Sequence, residues 1–142
     1  MKPARAIIVA LAVSVSASAL AHGDKSNKPK EKTAISTEEK SFGREGDPKR
    51  VTRTIKVGMT DKFRYSPAEL TIKAGETVRF EASNSGKILH EMVLGTMEEL
   101  KAHAEVMKKH PGMEHDAPYM AHVAPGKVGR MVWQFTKPGE FY

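Results

Sequence analysis

Seven side chains able to bind soft or borderline metal ions fall within twenty residues: His103, Met107, His110, Met113, His115, Met120 and His122. Imidazole suits Cu(II) and thioether suits Cu(I), so the segment carries the chemistry of a copper site. His103, Met107 and His110 stand at i, i+4 and i+7, which places them on one face if the segment is helical. Asp116 offers an oxygen donor, but the spacing fixes no geometry. A plainer reading has Met107 in an apolar helix face and the histidines solvated. For Met113, His115, Met120 and His122 the residues leave both readings open. His90 stands apart, between two strand-like runs in YSPAELTIKAGETVRFEASNSGKILHEMVLG. A histidine so placed either packs on its strand with a backbone hydrogen bond or turns its imidazole to a metal. His22 is a further candidate. Cleavage after Ala21 would make it the amino terminus, where amine and imidazole together chelate Cu(II); otherwise it is a histidine at a mobile end.

The elements that must position these residues read as short strands with one helix. Val51, Thr52, Thr54, Ile55, Val57 and Met59 are strand formers, and Thr60-Asp61 closes the run. Ser66-Pro67 leads into Leu70-Thr71-Ile72, and Ala74-Gly75 makes a second turn. Thr77 to Ala82 alternates with period two, as a half-buried strand does. Asn84-Ser85-Gly86 is a turn, and Ile88 to Leu94 is apolar around His90. Thr96 with Glu99 forms a capping box for a helix that Pro111-Gly112 ends. Met97, Leu100, Ala104 and Met107 are its expected inner face. Residues 112–129 read mostly as loop, Arg130 to Thr136 as a strand, and Phe141-Tyr142 as the start of another. Strands this short and this closely spaced predict an all-β sandwich or barrel. Trp133 and Phe135 are expected to pack within it.

Length and composition bound the rest. The chain has 142 residues, a formal charge of +6 and no cysteine. Lys2 and Arg5, the apolar run Ala6 to Val15 and Ala19-Leu20-Ala21 have the order of a secretory signal peptide over residues 1–21. The apolar run is short for a membrane span, so the expectation is a periplasmic or secreted protein with no stable membrane anchor. Residues 22–50 are charged with few apolar anchors and read as a flexible arm, leaving 51–142 as the domain. Without cysteine no disulfide can staple it, so stability must come from an apolar core. Lysine and glutamate are interspersed and no basic stripe carries aromatics, which argues against nucleic-acid binding. No nucleophile elbow, H-E-x-x-H pair or phosphate-cradling glycine loop is present, so no enzyme activity is expected.

Several blocks in order resemble a known family. Val57-x-Met59 with Asp61, Tyr65-x-Pro67, Leu70-x-Ile72-x-Ala74-Gly75-Glu76-Thr77-Val78-x-Phe80, Asn84-x-Gly86 and His90-Glu91 resemble the N-terminal half of a cupredoxin. The similarity is greater to the plastocyanin-like periplasmic proteins of copper tolerance, whose pattern Pro111-Gly112-Met113-Glu114-His115, Ala124-Pro125-Gly126 and Val132-Trp133-Gln134-Phe135 also resemble. The resemblance covers about Phe42 to Tyr142. It implies a Greek-key β-sandwich with one inserted helix and a type 1 copper centre serving electron transfer or copper handling, with a periplasmic redox partner. His90 matches the family's first copper ligand, and Asn84 matches the turn residue whose hydrogen bonds hold the ligand loop. The family's Cys, second His and Met ligands lie on a loop after the strand begun by Phe141-Tyr142. This sequence does not include that loop or the last strand, and the expectation is a fragment of a longer product. Two other readings remain: copper sequestration through the Met/His segment without electron transfer, and a metal-free interaction domain.

Overall fold

The alternation expected between Thr77 and Ala82 is realised in a strand whose even-numbered residues point into a core. The structure is a computed structural model describing residues 34–111, 113 and 115–142. Its elements run β1 (Glu39–Lys40), β2 (Gly43–Glu45), β3 (Arg53–Thr60), β4 (Arg64–Ser66), β5 (Thr77–Asn84), β6 (His90–Val93), α1 (Met97–Lys109), β7 (Met120–Val123) and β8 (Val128–Gln134). Six strands form one sheet in the order β1-β2-β8-β5-β3-β4, and β6 and β7 form a second, two-stranded sheet. Every pairing is antiparallel except β3 with β5. Ile55, Val57 and Met59 of β3, Val78, Phe80 and Ala82 of β5, and Met131 and Trp133 of β8 share one buried cluster with Met92 of β6 and Ala121 and Val123 of β7. The two sheets thus bury their apolar faces against each other, as a β-sandwich must.

The core is anchored where β8 meets β2. Trp133 is 1% exposed and stacks on Phe42 with ring centroids 5.1 Å apart. Its indole Nε1 donates to the Phe42 carbonyl at 2.9 Å, and Tyr119 closes the other side edge-on to Phe42 at 5.7 Å. The expected flexible arm over residues 22–50 is therefore corrected in its second half. Residues 39–45 pair into the main sheet, and Phe42 is 1% exposed. A single aromatic with a deep partner orders a segment whose composition alone looks unable to fold. Residues 1–21, the expected signal peptide, and His22 lie outside the described residues.

Three further elements differ from expectation. Leu70 to Lys73 is irregular chain rather than strand, tied down by Arg53 Nη2 on the Thr71 carbonyl at 2.9 Å and Lys73 N–H on Glu76 Oε2 at 3.1 Å. The strand in that region is instead β4, folded back on β3 through a turn in which Phe63 takes a φ of 54°. Within the expected loop of 112–129, residues 120–123 form β7, because Met120 to Val123 find β6 as a partner. Helix α1 has the predicted capping box, but its half-buried face is Leu100, His103 and Met107, while Met97 and Ala104 are exposed. Histidine takes an inward position there because the surface beneath it presents a carboxylate, that of Glu91. Tyr142 exchanges backbone hydrogen bonds with Gly95, just past the end of β6, at 2.9 and 3.0 Å, but Phe141 and Tyr142 are not in a strand. No helix among the described residues is long and apolar enough to cross a membrane.

Candidate metal centre

The turn after β5 is built around Asn84, which is 2% exposed. Its Nδ2 donates to the Ile88 carbonyl at 2.7 Å and the Val123 carbonyl at 2.8 Å, and its Oδ1 accepts from Gly86 N–H at 2.8 Å. One amide thus joins the end of β5, the approach to β6 and the end of β7. Its backbone adds bonds to Lys127 and Gly126. The chain leaving this turn enters β6 with His90 directed inward, 8% exposed.

His90 is held from one side by Asp61, whose Oδ1 lies 3.0 Å from Nε2. The Lys87 N–H donates to both Asp61 oxygens, at 3.1 and 2.8 Å. That backbone donor, followed by His90, holds the Asp61 carboxyl below the usual carboxylate range. An ionised carboxylate only accepts hydrogen bonds, so Nε2 carries the ring proton. In the neutral ring Nδ1 is then the atom with a lone pair for a metal. A carboxylate that orients an imidazole through its second nitrogen is the usual support of a metal-bound histidine. Phe63 stands edge-on to the ring at 5.6 Å and shields it.

Gly86 makes this pair sterically possible. A Cβ there would fall on Asp61 Oδ1 and lie 2.9 Å from His90 Nε2. Gly86→Ala is therefore expected to turn the Asp61 carboxylate outward and break the pair, at a cost of roughly 1–3 kcal/mol. Loss of the hydrogen-bonded His90 Nε2 proton resonance, with far-UV circular dichroism unchanged, is the measurement that checks it.

The next residue faces the other way. Successive side chains on a strand alternate, so Glu91 lies on the outer face of β6, where its cross-strand partner is His122 of β7. Glu91 Oε1 is 3.1 Å from His122 Nε2 and Glu91 Oε2 is 3.4 Å from His103 Nε2 of α1. His115 joins them, its ring 5.1 Å from that of His103 and 6.2 Å from that of His122. Asp116 Oδ1 stands 4.0 Å from His122 Nδ1. Tyr65 donates its hydroxyl to the Glu91 carbonyl at 3.1 Å, and burial, with the Glu91 charge, raises its phenol above the ordinary value.

The structure thus brings His103, His115 and His122 together and places His90 on the opposite side of the same strand. His110 caps the end of α1 and is exposed, outside this group. Met113 is 42% exposed. Met120 is buried, on the same face of β7 as His122 and two residues before it. Glu91 and Asp61 were not recognised as site residues from sequence. The Met120-Ala121-His122-Val123 alternation was the available signal, since a strand there needs a neighbour, and β6 places Glu91 opposite.

No family model matches the chain. It is 51% identical over 100 residues to a copper-resistant cuproprotein CopI of Rubrivivax gelatinosus, with 70% of this chain and 61% of that protein covered. It is 30% identical to a protein of the same description in Pseudomonas aeruginosa, with 68% and 69% covered. A Vibrio cholerae protein so described is 30% identical over 87 residues, 52% of its length. The chain therefore spans about three-fifths of the Rubrivivax relative. Among solved structures, auracyanin B superposes with a TM-score of 0.55 at 17% identity, covering 70% of this chain and 81% of that one. At that identity the likeness is one of fold, and it identifies the sandwich as cupredoxin-like. Sequence identity and fold agree, and the chain belongs to the family of copper-resistant cuproproteins CopI.

Proposed function

We propose that this chain is an exported copper-handling protein of copper tolerance, in which His90 supplies an imidazole to copper at one end of the sandwich. The observation that carries this reading is the Asp61–His90 pair, 3.0 Å apart, with His90 8% exposed and Gly86, Lys87 and Phe63 against it. It fixes which ring nitrogen bears the proton and leaves Nδ1 for the metal. The relatives' description as copper-resistant cuproproteins supports copper as the metal. Lys2, Arg5, the apolar run to Val15 and Ala19-Leu20-Ala21 support export to the periplasm.

A type 1 centre needs a thiolate beside two imidazoles and a weak axial donor. The 142 residues contain no cysteine, so they fit one ligand of that centre and not the set. The electron-carrier role that the cupredoxin resemblance implies therefore requires a thiolate from outside these residues, and no electron-transfer step follows from them. When copper is bound it supplies a redox-active centre; the part of this chain is to hold one imbedded imidazole in a single tautomer and to shield it from solvent.

Cu(II) added to saturation is expected to broaden the His90 ring resonances, without an intense thiolate-to-copper visible band. Asp61→Asn is expected to weaken that binding about 10–100-fold by removing the acceptor that orients the ring. Copper saturation that leaves the His90 signals untouched would sink this reading.

A further inference from the structure

Glu91, His103, His115 and His122 arrive from four separate stretches of chain: β6, the middle of α1, the segment before β7, and β7 itself. Each is a side chain of metal-binding type, and donor atoms of Glu91, His103 and His115 lie within 4.8 Å of one another. Core packing does not require the grouping, because all four stand off the apolar cluster. Two of their polar atoms, Glu91 Oε1 and His115 Nδ1, are buried without a hydrogen-bond partner. His122 Nε2 lies 3.1 Å from that oxygen as an ion-pair contact, which leaves His115 Nδ1 as the atom of the group with no polar contact of its own. Native structures rarely leave buried polar atoms unpaired. A carboxylate and imidazoles whose donor atoms lie within 4.8 Å of one another are groups that a cation satisfies together.

We propose that Glu91, His103, His115 and His122 bind one divalent transition-metal ion, copper(II) most tightly, at a site separate from His90. Ligands 2.0–2.1 Å from a tetrahedrally coordinated ion stand roughly 3.3 Å apart. Donor atoms of Glu91, His103 and His115 already lie within 4.8 Å of one another, so these three need modest movement to receive an ion, and His122, 3.1 Å from Glu91 Oε1, joins them by a rotation of its ring. Three imidazoles with a carboxylate suit Cu(II) and Zn(II), and the ordering of divalent ions places copper above zinc. His103, Glu91 and His122 are 22%, 23% and 24% exposed at their side chains, open enough for an ion to enter. The Tyr65 hydroxyl on the Glu91 carbonyl steadies the backbone beneath the carboxylate. Bound there, the ion clamps α1 onto the β6–β7 sheet, which otherwise receives the helix through few apolar contacts, since α1 has no fully buried residue.

The site does not depend on the reading given to His90, because the strand puts the two on opposite faces. The test uses the 142-residue chain with Zn2+ alone, then Cu2+ alone, in competition with a chromophoric chelator, and follows the histidine ring nitrogens by NMR with Zn2+. One Zn2+ is expected to shift His103, His115 and His122 and to leave His90 in place. Changing a residue that merely supports a metal ligand costs 10–100-fold, so Glu91→Gln and His103→Ala, which remove ligands, are each expected to weaken binding by about 100-fold or more. His110→Ala, at the exposed end of α1 and outside the group, is expected to leave Zn2+ affinity unchanged. Wild-type protein that takes up neither ion at micromolar concentration overturns the proposal, as do Glu91→Gln and His103→Ala variants that bind like wild type. Should either variant fail to fold, the wild-type ring shifts decide: their absence on Zn2+ addition overturns it. Loss of copper at His90 with the zinc shifts intact would count against the copper-handling reading alone.

Discussion

Replacing Trp133 by alanine is expected to destabilise the domain by about 3–5 kcal/mol, the range for removing a large aromatic from a packed core. Three interactions go at once: the stack on Phe42 at 5.1 Å, the edge contact with Tyr119 at 6.0 Å, and the indole hydrogen bond to the Phe42 carbonyl at 2.9 Å. Domains of this size typically hold only about 5–15 kcal/mol in all, so the variant should unfold at markedly lower denaturant. Trp133→Phe separates the components. It keeps most of the apolar volume and removes the donor from a buried carbonyl, for an expected loss of about 1–3 kcal/mol. Urea melts followed by far-UV circular dichroism check both, because Trp133 is the one tryptophan of the chain and fluorescence is lost with it. A fall in midpoint at unchanged slope identifies a stability change rather than a change in the unfolded ensemble. Equal stability of Trp133→Ala and wild type would mean that β2 is not anchored as described.

Asn84→Ala is expected to cost about 2–4 kcal/mol, since two carbonyls lose their donor and the Gly86 N–H loses its acceptor in a buried turn. The effect should reach beyond stability. The amide sets the approach to β6 relative to the ends of β5 and β7, so the His90 ring is expected to leave Asp61, and the Nε2 proton signal to broaden. Asn84→Asp should be at least as damaging, although it is nearly the same shape. It would aim one carboxylate oxygen at the Ile88 and Val123 carbonyls in place of the amide nitrogen that donates to both. If Asn84→Asp melts with wild type and keeps the His90 signal, the three-way bracket is not what positions the histidine.

The elements legible in the sequence are those whose reasons are local. Thr77 to Ala82 shows its period of two, and Thr96 with Glu99 shows the capping box that the structure contains. Asn84-Ser85-Gly86 reads as a turn, and the side chain of Asn84 closes it on Gly86 N–H. By contrast, β1 and β2 carry mostly polar residues, and their order comes from Phe42 meeting Trp133, ninety-one positions away. Strand β7 is four residues long and half composed of Met and His; only pairing with β6 distinguishes it from loop. The inward face of α1 differs from the expected one by one position because hydrophobic periodicity does not foresee a histidine directed at a half-buried carboxylate.

The candidate site divides along the same line. From the turn, the strand and the family resemblance, the sequence singles out His90 as a candidate metal ligand, and it supplies the inventory of histidines and methionines near residue 110. Their types and chain order are properties of the sequence, so the chemistry they permit was readable there. Which of them meet was decided by the tertiary fold. Asp61 reaches His90 across 29 residues because the β3–β4 turn lies over the end of β5. Glu91 gathers His103, His115 and His122 because β6 and β7 pair in one register and α1 lies across them. Shifting that register by one residue would turn His122 into the core and leave Glu91 without it. A metal centre is a coincidence of side chains in space, and no local pattern encodes the distance between strands that have yet to pair.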